Sequence, residues 1–314
     1  MRLDYQMFVK LFLVTLCWFV SSRSAACAFP VDFGPGFSTH AVSVDGATLS
    51  ATVGGYGPAV VLLHGYAEDS RMWKPLAIAL ASHFTVIAPD LPGIGNSSIP
   101  SSGLDMKTSA KRVRDAVHAL GYKNVRVVGH DIGLMVAYAY AAMYPHEVER
   151  LALMDAFLPG VPGWAAIYND PNFWHFRFHG PTPLALVRGR ENLYFSYFWN
   201  DLAANKDHSL SAESRAEYIA AYSRPGRMAA GWAYFVSFPK TAADFAQLAK
   251  TKLAIPVLSI GGDKSLGVAL GVQAKLVASD VAVVVIKNAG HWIMEEQPAA
   301  TMRALIHFLS AQPA

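Results

Sequence analysis

The sequence predicts an α/β domain: a mainly parallel sheet flanked by helices, with an inserted helical cap. Three observations carry this. Apolar runs of strand length alternate with helical segments along most of the 314 residues, the pattern that places helices on both faces of a parallel sheet. The stretch Val128-Gly129-His130-Asp131-Ile132-Gly133 joins the apolar run Val125–Val128 to an alanine- and tyrosine-rich segment ending near Tyr144, which reads as strand, elbow and helix. From Phe157 to about Lys250 strand alternation disappears and Trp, Phe, Tyr and His accumulate, as expected of a helical insertion. A hydrophobic content of 53% supplies core for one such domain. A formal charge of +3 without long charged runs gives no footing for a nucleic-acid partner.

The amino terminus reads as a secretory signal over residues 1–28. Arg2 and Lys10 flank the start of an apolar stretch from Leu11 to Val20, and Ala26-Cys27-Ala28 supplies a small-residue cleavage site. That stretch is too short for a comfortable permanent span. A lipoprotein at Cys27 lacks the leucine-type residue expected before it, and an uncleaved anchor is the alternative. Cleavage after Ala28 would remove both cysteines, Cys17 and Cys27, leaving stability to the core. The expected product is secreted or periplasmic, without a stable membrane anchor. Its domains are a core at 29–156 and 251–314 and a cap at 157–250.

In chain order, two strands between His40 and Gly54 turn at Asp45-Gly46, and Gly54–Pro58 turns into a buried strand, Ala59–Leu63. His64-Gly65-Tyr66-Ala67 follows; Gly65 lets the loop fold back so that the Tyr66 N–H faces the elbow. Together with the N–H of Ile132 it would form an oxyanion hole. A helix at Trp73–Ala81 and a strand at Phe84–Ala88 lead to the loop Asp90-Leu91-Pro92-Gly93, which suits an active-site edge or plain support. Met106–Leu120 is helical, with a solvated face at Lys111, Arg112, Arg114 and Asp115. Val148–Met154 is a strand ending at Asp155. After the insertion come a strand at Ile255–Ile260, a helix near Leu270–Ala278, a strand at Ala282–Ile286, the loop Asn288-Ala289-Gly290-His291-Trp292, and a helix at Pro298–Ser310.

Asp131, Asp155 and His291 thus stand at the ends of three predicted strands. The order nucleophile, acid, base is that of the α/β-hydrolase fold, and G-x-D-x-G is its elbow spacing with aspartate in place of serine. The substitution changes the chemistry. A carboxylate attacking an ester gives an anhydride and gains little, whereas attack on a saturated carbon with a strained or good leaving group gives an alkyl-enzyme ester. His291 can activate water to hydrolyse that ester, with Asp155 orienting the imidazole. The electrophiles are therefore small apolar epoxides or organohalides. This chemistry calls for no cofactor and no metal. Asp263, after the following strand, is the rival acid; the commoner acid position of the fold lies two residues further on, and holds Ser265 here.

With these residues the chain resembles the epoxide hydrolase and haloacetate dehalogenase branch of the α/β-hydrolases, most closely the secreted bacterial Cif-type epoxide hydrolases. The likeness rests on Phe84–Gly93, His130–Gly133, Leu153–Ala156, Trp174-His175-Phe176, Leu248–Thr251 and Gly290-His291-Trp292. It implies Asp155 as the triad acid, where Cif-type enzymes carry glutamate, and His175 as a cap donor to the epoxide oxygen. The family's second donor is a tyrosine, and an ungapped alignment sets Phe235 at its position with Tyr234 adjacent. One helical residue is a rotation of about 100°, so Tyr234 replaces it only if the helix is displaced; otherwise His175 acts alone or with Tyr194 or Tyr197. Pocket walls are expected from His64, Trp73, His130, Trp174, Phe235 and Trp292.

Dehalogenation is the second reading. Haloacetate dehalogenases carry arginine after the nucleophile and haloalkane dehalogenases usually tryptophan, where this chain has Ile132; Trp73, Trp174 or Trp232 would then have to serve the halide. A secreted binding protein on a disabled hydrolase fold is the third, motivated by Phe235 and opposed by the intact Asp131, Asp155 and His291. A homodimer is left open.

Overall fold

The computed structural model describes residues 31–311, so the expected signal at 1–28, with Cys17 and Cys27, lies outside the described residues. The chain opens with a hairpin: β1 (Phe37–Val44) and β2 (Ala47–Gly55) are antiparallel and close at Asp45-Gly46, with Val44 opposite Ala47. β2 also runs antiparallel to β4 (Thr85–Pro89). From β4 the sheet continues in parallel, neighbour by neighbour, through β3 (Ala59–Leu63), β5 (Val125–His130), β6 (Val148–Met154), β7 (Leu253–Gly262) and β8 (Ala278–Ile286), giving the order β1-β2-β4-β3-β5-β6-β7-β8. Every residue of β3 and β4 is buried, because helices cover both faces of a parallel sheet.

One apolar layer packs the sheet against α2 (Met106–Ala119), α3 (Ile132–Met143) and α10 (Ala269–Val277). The opposite layer uses α1 (Lys74–Leu80), α11 (Ile293–Glu296) and α12 (Pro298–Ser310). Helix α3 is enclosed nearly all round, which is why its sequence carries no amphipathic stripe. It lies so close to the sheet that a Cβ at Gly133 would stand 2.3 Å from the Leu63 carbonyl oxygen, and one at Gly129 2.3 Å from that of Gly133. Both glycines are therefore fixed by close approach rather than by turn geometry.

Between β6 and β7 lies the helical insertion: α4 (Trp164–Asn169), a 3-10 segment (Pro171–Phe176), α5 (Pro181–Val187), α6 (Glu191–Asp201), α7 (Ala212–Tyr222), α8 (Arg227–Val236) and α9 (Phe238–Leu248). Its aromatic side chains hydrogen-bond across the seam. Trp199 Nε1 donates to Ala67 O at 3.2 Å and Tyr222 Oη to Glu68 O at 3.3 Å, while Trp292 Nε1 of the core donates to Phe198 O at 2.9 Å. Such buried N–H and O–H groups need partners, and here the partners clamp the insertion over the carboxyl ends of the strands.

Several boundaries differ from expectation, β8 by the most. β8 begins at Ala278, four residues before the Ala282 predicted, because Ala278–Val281 pairs with the start of β7 despite a polar, half-exposed sequence. β5 continues through His130, paired with Met154 of β6.

Candidate active site

Asp131 sits between β5 and α3 with φ 53° and ψ −124°. A non-glycine residue at positive φ costs on the order of 1–3 kcal/mol, and its surroundings hold it there. Its N–H donates to Met154 O at 3.2 Å, its carbonyl accepts from Leu134 N at 3.0 Å, and its Oδ1 accepts from Tyr66 N at 2.9 Å. A Cβ at Gly65 would lie 2.8 Å from the Asp131 Cβ, so only glycine admits the loop that presents Tyr66. Ile132 is sealed in the core; it opens α3, where a first-turn N–H has no acceptor inside the helix.

Asp155 follows β6, also at positive φ, 47°. Its fully buried carboxylate accepts from Gly262 N at 3.0 Å and Ser265 Oγ at 2.7 Å, and pairs with His291 Nδ1 at 3.0 Å. His291 Nε2 stands 3.5 Å from Asp131 Oδ2. The three predicted residues therefore come together at the carboxyl edge of the sheet. Asp263 does not join them: its N–H bonds Ile286 O at 2.9 Å and its carboxylate accepts from Ala289 N at 3.3 Å with Lys287 3.8 Å away. Ser265, considered only as the occupant of an acid position, proves to be a hydrogen-bond donor to the acid.

Burial opposes charging of His291, but the Asp155 hydrogen bond and the charges of Asp131, Asp155 and Glu68 outweigh it and hold the imidazole proton up to about pH 9. The resting site is thus an imidazolium between two carboxylates. His175 is the reverse: burial, only partly offset by Asp131 and reinforced by His291, pushes its pKa down to about 4, so it is neutral. Its ring packs among Phe173, Trp174, Phe176, Phe198 and Phe235, and its Nδ1 has no hydrogen-bond partner.

Asp131, His291, Asp155 and His175 line one cavity of about 280 Å³ between core and insertion. Its walls are apolar: Phe157, Trp164, Phe173, Phe176, Phe198, Phe235, Phe238 and Trp292, with Met135, Ile167, Leu202 and Leu266. Tyr66, Ala156, Asp201, Lys264 and Ser265 complete the lining among the described residues.

Several expected wall and donor residues lie elsewhere. Tyr234 is buried with its hydroxyl donating to Pro92 O at 2.9 Å and near Ser109 Oγ at 3.2 Å, on the side of α8 away from the cavity. The rotation of one helical residue keeps it there, and α8 is not displaced to compensate. Tyr194 is engaged by Tyr66 and Trp232, and Tyr197 donates to Asn172 O at 3.1 Å; neither lines the cavity. His64 is structural, its Nδ1 donating to Gly65 O at 2.8 Å and its Nε2 accepting from Leu91 N at 2.9 Å. Trp73 belongs to the layer on the far face of the sheet, Trp174 stands at the surface of the insertion, and His130 is enclosed behind His291. Phe235 and Trp292 do line the cavity, as expected.

These ionisations couple to folding. His291 titrates near 9 folded against 6.5 for a free imidazole, so its contribution is complete below about pH 6.5 and is lost as pH rises through 9. Buried Glu68, pushed up to about 8 from 4.5 chiefly by desolvation, adds a cost that grows between those values. The melting temperature is expected to fall between pH 6 and pH 9 by roughly 5 °C or more, as read by scanning calorimetry; a flat profile would contradict these environments.

Comparison with known proteins fits this geometry. The α/β-hydrolase fold family pattern matches residues 58–298. The soluble epoxide hydrolase of Corynebacterium sp. (strain C12) is 34% identical over 278 residues, covering 86% of this chain and 96% of its own. The fluoroacetate dehalogenase of a Burkholderia species is 33% identical over 159 residues, 47% of this chain and 51% of its own. Among solved structures, wild-type Cfl2 from Burkholderia cenocepacia superimposes with a TM-score of 0.80 at 34% identity over 87% of this chain and 96% of that one. The epoxide hydrolase CorEH gives 0.79 at 32% over 87% and 99%.

Proposed function

The chain belongs to the α/β-hydrolase fold family and is a hydrolase, and from that premise we propose that it opens epoxides to vicinal diols through an ester formed on Asp131. The observation that carries this reading is the pairing of a carboxylate at the elbow with a largely apolar cavity that a neutral His175 also lines. Lys264 is the one lysine or arginine in the lining among the described residues, and it is exposed on the loop after β7. A haloacid would bring a carboxylate needing a buried cation; a neutral epoxide needs only an apolar seat and an oxygen donor.

In the first half-reaction Asp131 Oδ2 attacks an epoxide carbon and the C–O bond of the ring breaks. Oδ1, held by the Tyr66 N–H, becomes the ester carbonyl oxygen. The leaving oxygen is polarised by the His175 N–H, which suits an imidazole that stays neutral at the pH of the reaction. The family's tyrosine position is Phe235 and Tyr234 faces away, so His175 carries this donation without a phenol. The alkoxide takes up a proton, the imidazolium of His291 supplying it through solvent. Loss of the Asp131 charge removes one of the interactions that held that proton.

In the second half-reaction neutral His291 accepts a proton from water as the oxygen attacks the Asp131 carboxyl carbon. Negative charge develops on Oδ1 against the N–H groups of Tyr66 and Ile132. Collapse releases the diol, which keeps the remaining proton of the attacking water, and regenerates the Asp131 carboxylate beside His291 in its charged form. The diol carries the epoxide oxygen and the former Oδ2 of Asp131, the oxygen of the attacking water stays in the regenerated carboxylate, and no redox change occurs.

The cavity of about 280 Å³ suits a compact, neutral substrate. Steady-state assays with neutral aryl and short alkyl epoxides beside chloroacetate and fluoroacetate are expected to yield diol from the former and no halide from the latter. Halide release without diol formation would replace this reading with dehalogenation.

A further inference from the structure

Behind the nucleophile lies a cluster of titratable groups that the chemistry above does not use. Glu68, three residues after Gly65, is fully buried, and its Oε2 is 3.2 Å from His130 Nδ1. His130 Nε2 is 2.9 Å from the backbone oxygen of His291, and the two rings lie 4.6 Å apart. A carbonyl oxygen only accepts, so His130 Nε2 carries hydrogen. Burial first, then the charge of His291, lower the His130 pKa and keep it neutral; its Nδ1 is then bare, and the proton of the Glu68–His130 bond belongs to Glu68.

The other Glu68 oxygen, Oε1, is buried with no donor from the protein, and so is Oε2 of Glu295 on α11. The two carboxyls interact with each other, and two carboxylates cannot hydrogen-bond without a proton between them. Neither orphaned oxygen has a hydrogen-bond partner among the described residues, and a proton shared between the two carboxyls would satisfy both. Glu295 also lines a separate surface groove with Arg71, Lys74, Glu217 and Tyr218, so the cluster has a solvent end on the side away from the substrate cavity.

We propose that Glu295 and Glu68 are positioning residues of a buried hydrogen-bond relay that, through His130 and the His291 backbone, seats the base, while the charge of Glu68 sets how readily His291 releases its proton. The charged groups facing Glu68 are Glu295, His130, His291, Asp131 and Asp69; Glu295 faces Glu68 and His130, and His130 also faces Asp155. Glu68 ionises near 8 and His291 near 9, so the Glu68 charge is present when His291 titrates and strengthens its hold on the proton. Glu295 donates to that charge. The relay gives the hydrolytic half-reaction a pH response that neither the triad nor the cap supplies. Its catalytic meaning rests on the reading of His291 as the base.

The test is an NMR titration of the His291 imidazole in the free, full-length chain, which needs no substrate. Glu68→Gln is expected to lower its midpoint by about one pH unit. Glu295→Met, which removes the donor, shifts it in the same direction, whereas Glu295→Gln, which keeps an N–H donor of the same size, leaves it where it was. The double variant Glu68→Gln/Glu295→Met matches Glu68→Gln alone, since Glu295 acts only through Glu68. An unmoved midpoint in Glu68→Gln, or equal shifts from Glu295→Met and Glu295→Gln, would overturn the relay. Failure of the ester-forming reading shows separately, as absence of an adduct on Asp131.

Discussion

A His291→Gln variant mixed with a compact epoxide is expected to stop at the ester, with one equivalent of substrate mass on a peptide containing Asp131. Alkylation needs the carboxylate, held by the Tyr66 N–H and aimed into the cavity, and it needs no base. Hydrolysis does need one, and glutamine cannot accept the proton of the attacking water. General base catalysis contributes about 10²–10⁴-fold, so turnover should fall by that order or more while the burst of alkylation survives. The variant also removes the imidazolium from beside Oδ2, which leaves the nucleophile more available, so rapid labelling accompanies the loss of turnover. Intact-mass and peptide mass spectrometry check both features. An adduct with haloacids and not with epoxides would reverse the order of the two enzymatic readings, and no adduct with either would favour a binding protein on this fold.

Much of the architecture could be read in the sequence because its signals are local. Buried parallel strands are largely apolar runs, and β3 and β4 stand out as such, as do β5 and β6 apart from Arg126 and the Glu149-Arg150 pair. The start of β8 does not, because Ala278–Val281 owes its strand conformation to pairing with β7 rather than to its own side chains. The site divides in the same way. Asp131, Asp155 and His291 each lie at a strand end, so their convergence follows from the order of the strands in the sheet. The wall of the cavity does not. His64, Trp73, His130 and Trp174 are near the site in sequence or motif, yet each points elsewhere, and the direction of a side chain is set by packing that a linear pattern does not carry. Tyr234 is the plainest case: its neighbour Phe235 faces the cavity, and helical geometry alone then sends Tyr234 towards Ser109 and Pro92. Ser265, Glu68 and Glu295 carry no distinctive sequence signal, because a hydroxyl in a loop and a glutamate after a turn are ordinary at that level; that Ser265 donates to Asp155 is visible only in the structure.

The second large effect separates Asp155 from Asp263. Asp155 receives three donors, from Gly262 N, Ser265 Oγ and His291 Nδ1, and an amide at this position must turn an N–H₂ towards at least one of them. If it meets His291, Nδ1 becomes an acceptor and the proton moves to Nε2, the nitrogen that has to take a proton from water. The base is then in the wrong tautomer, and the carboxylate charge that steadies the imidazolium is gone. Asp155→Asn is expected to lower kcat by about 10³–10⁴-fold and, like His291→Gln, to accumulate ester. Asp263 accepts one backbone N–H from Ala289, a bond that the asparagine oxygen can also accept, and it makes no hydrogen bond or ion pair with His291 among the described residues. Asp263→Asn should therefore keep activity within about tenfold and show its effect in thermal stability. Comparable losses of kcat from the two variants would mean that the loop after β7 shares the work of orienting His291, which the hydrogen bonds now assign to Asp155.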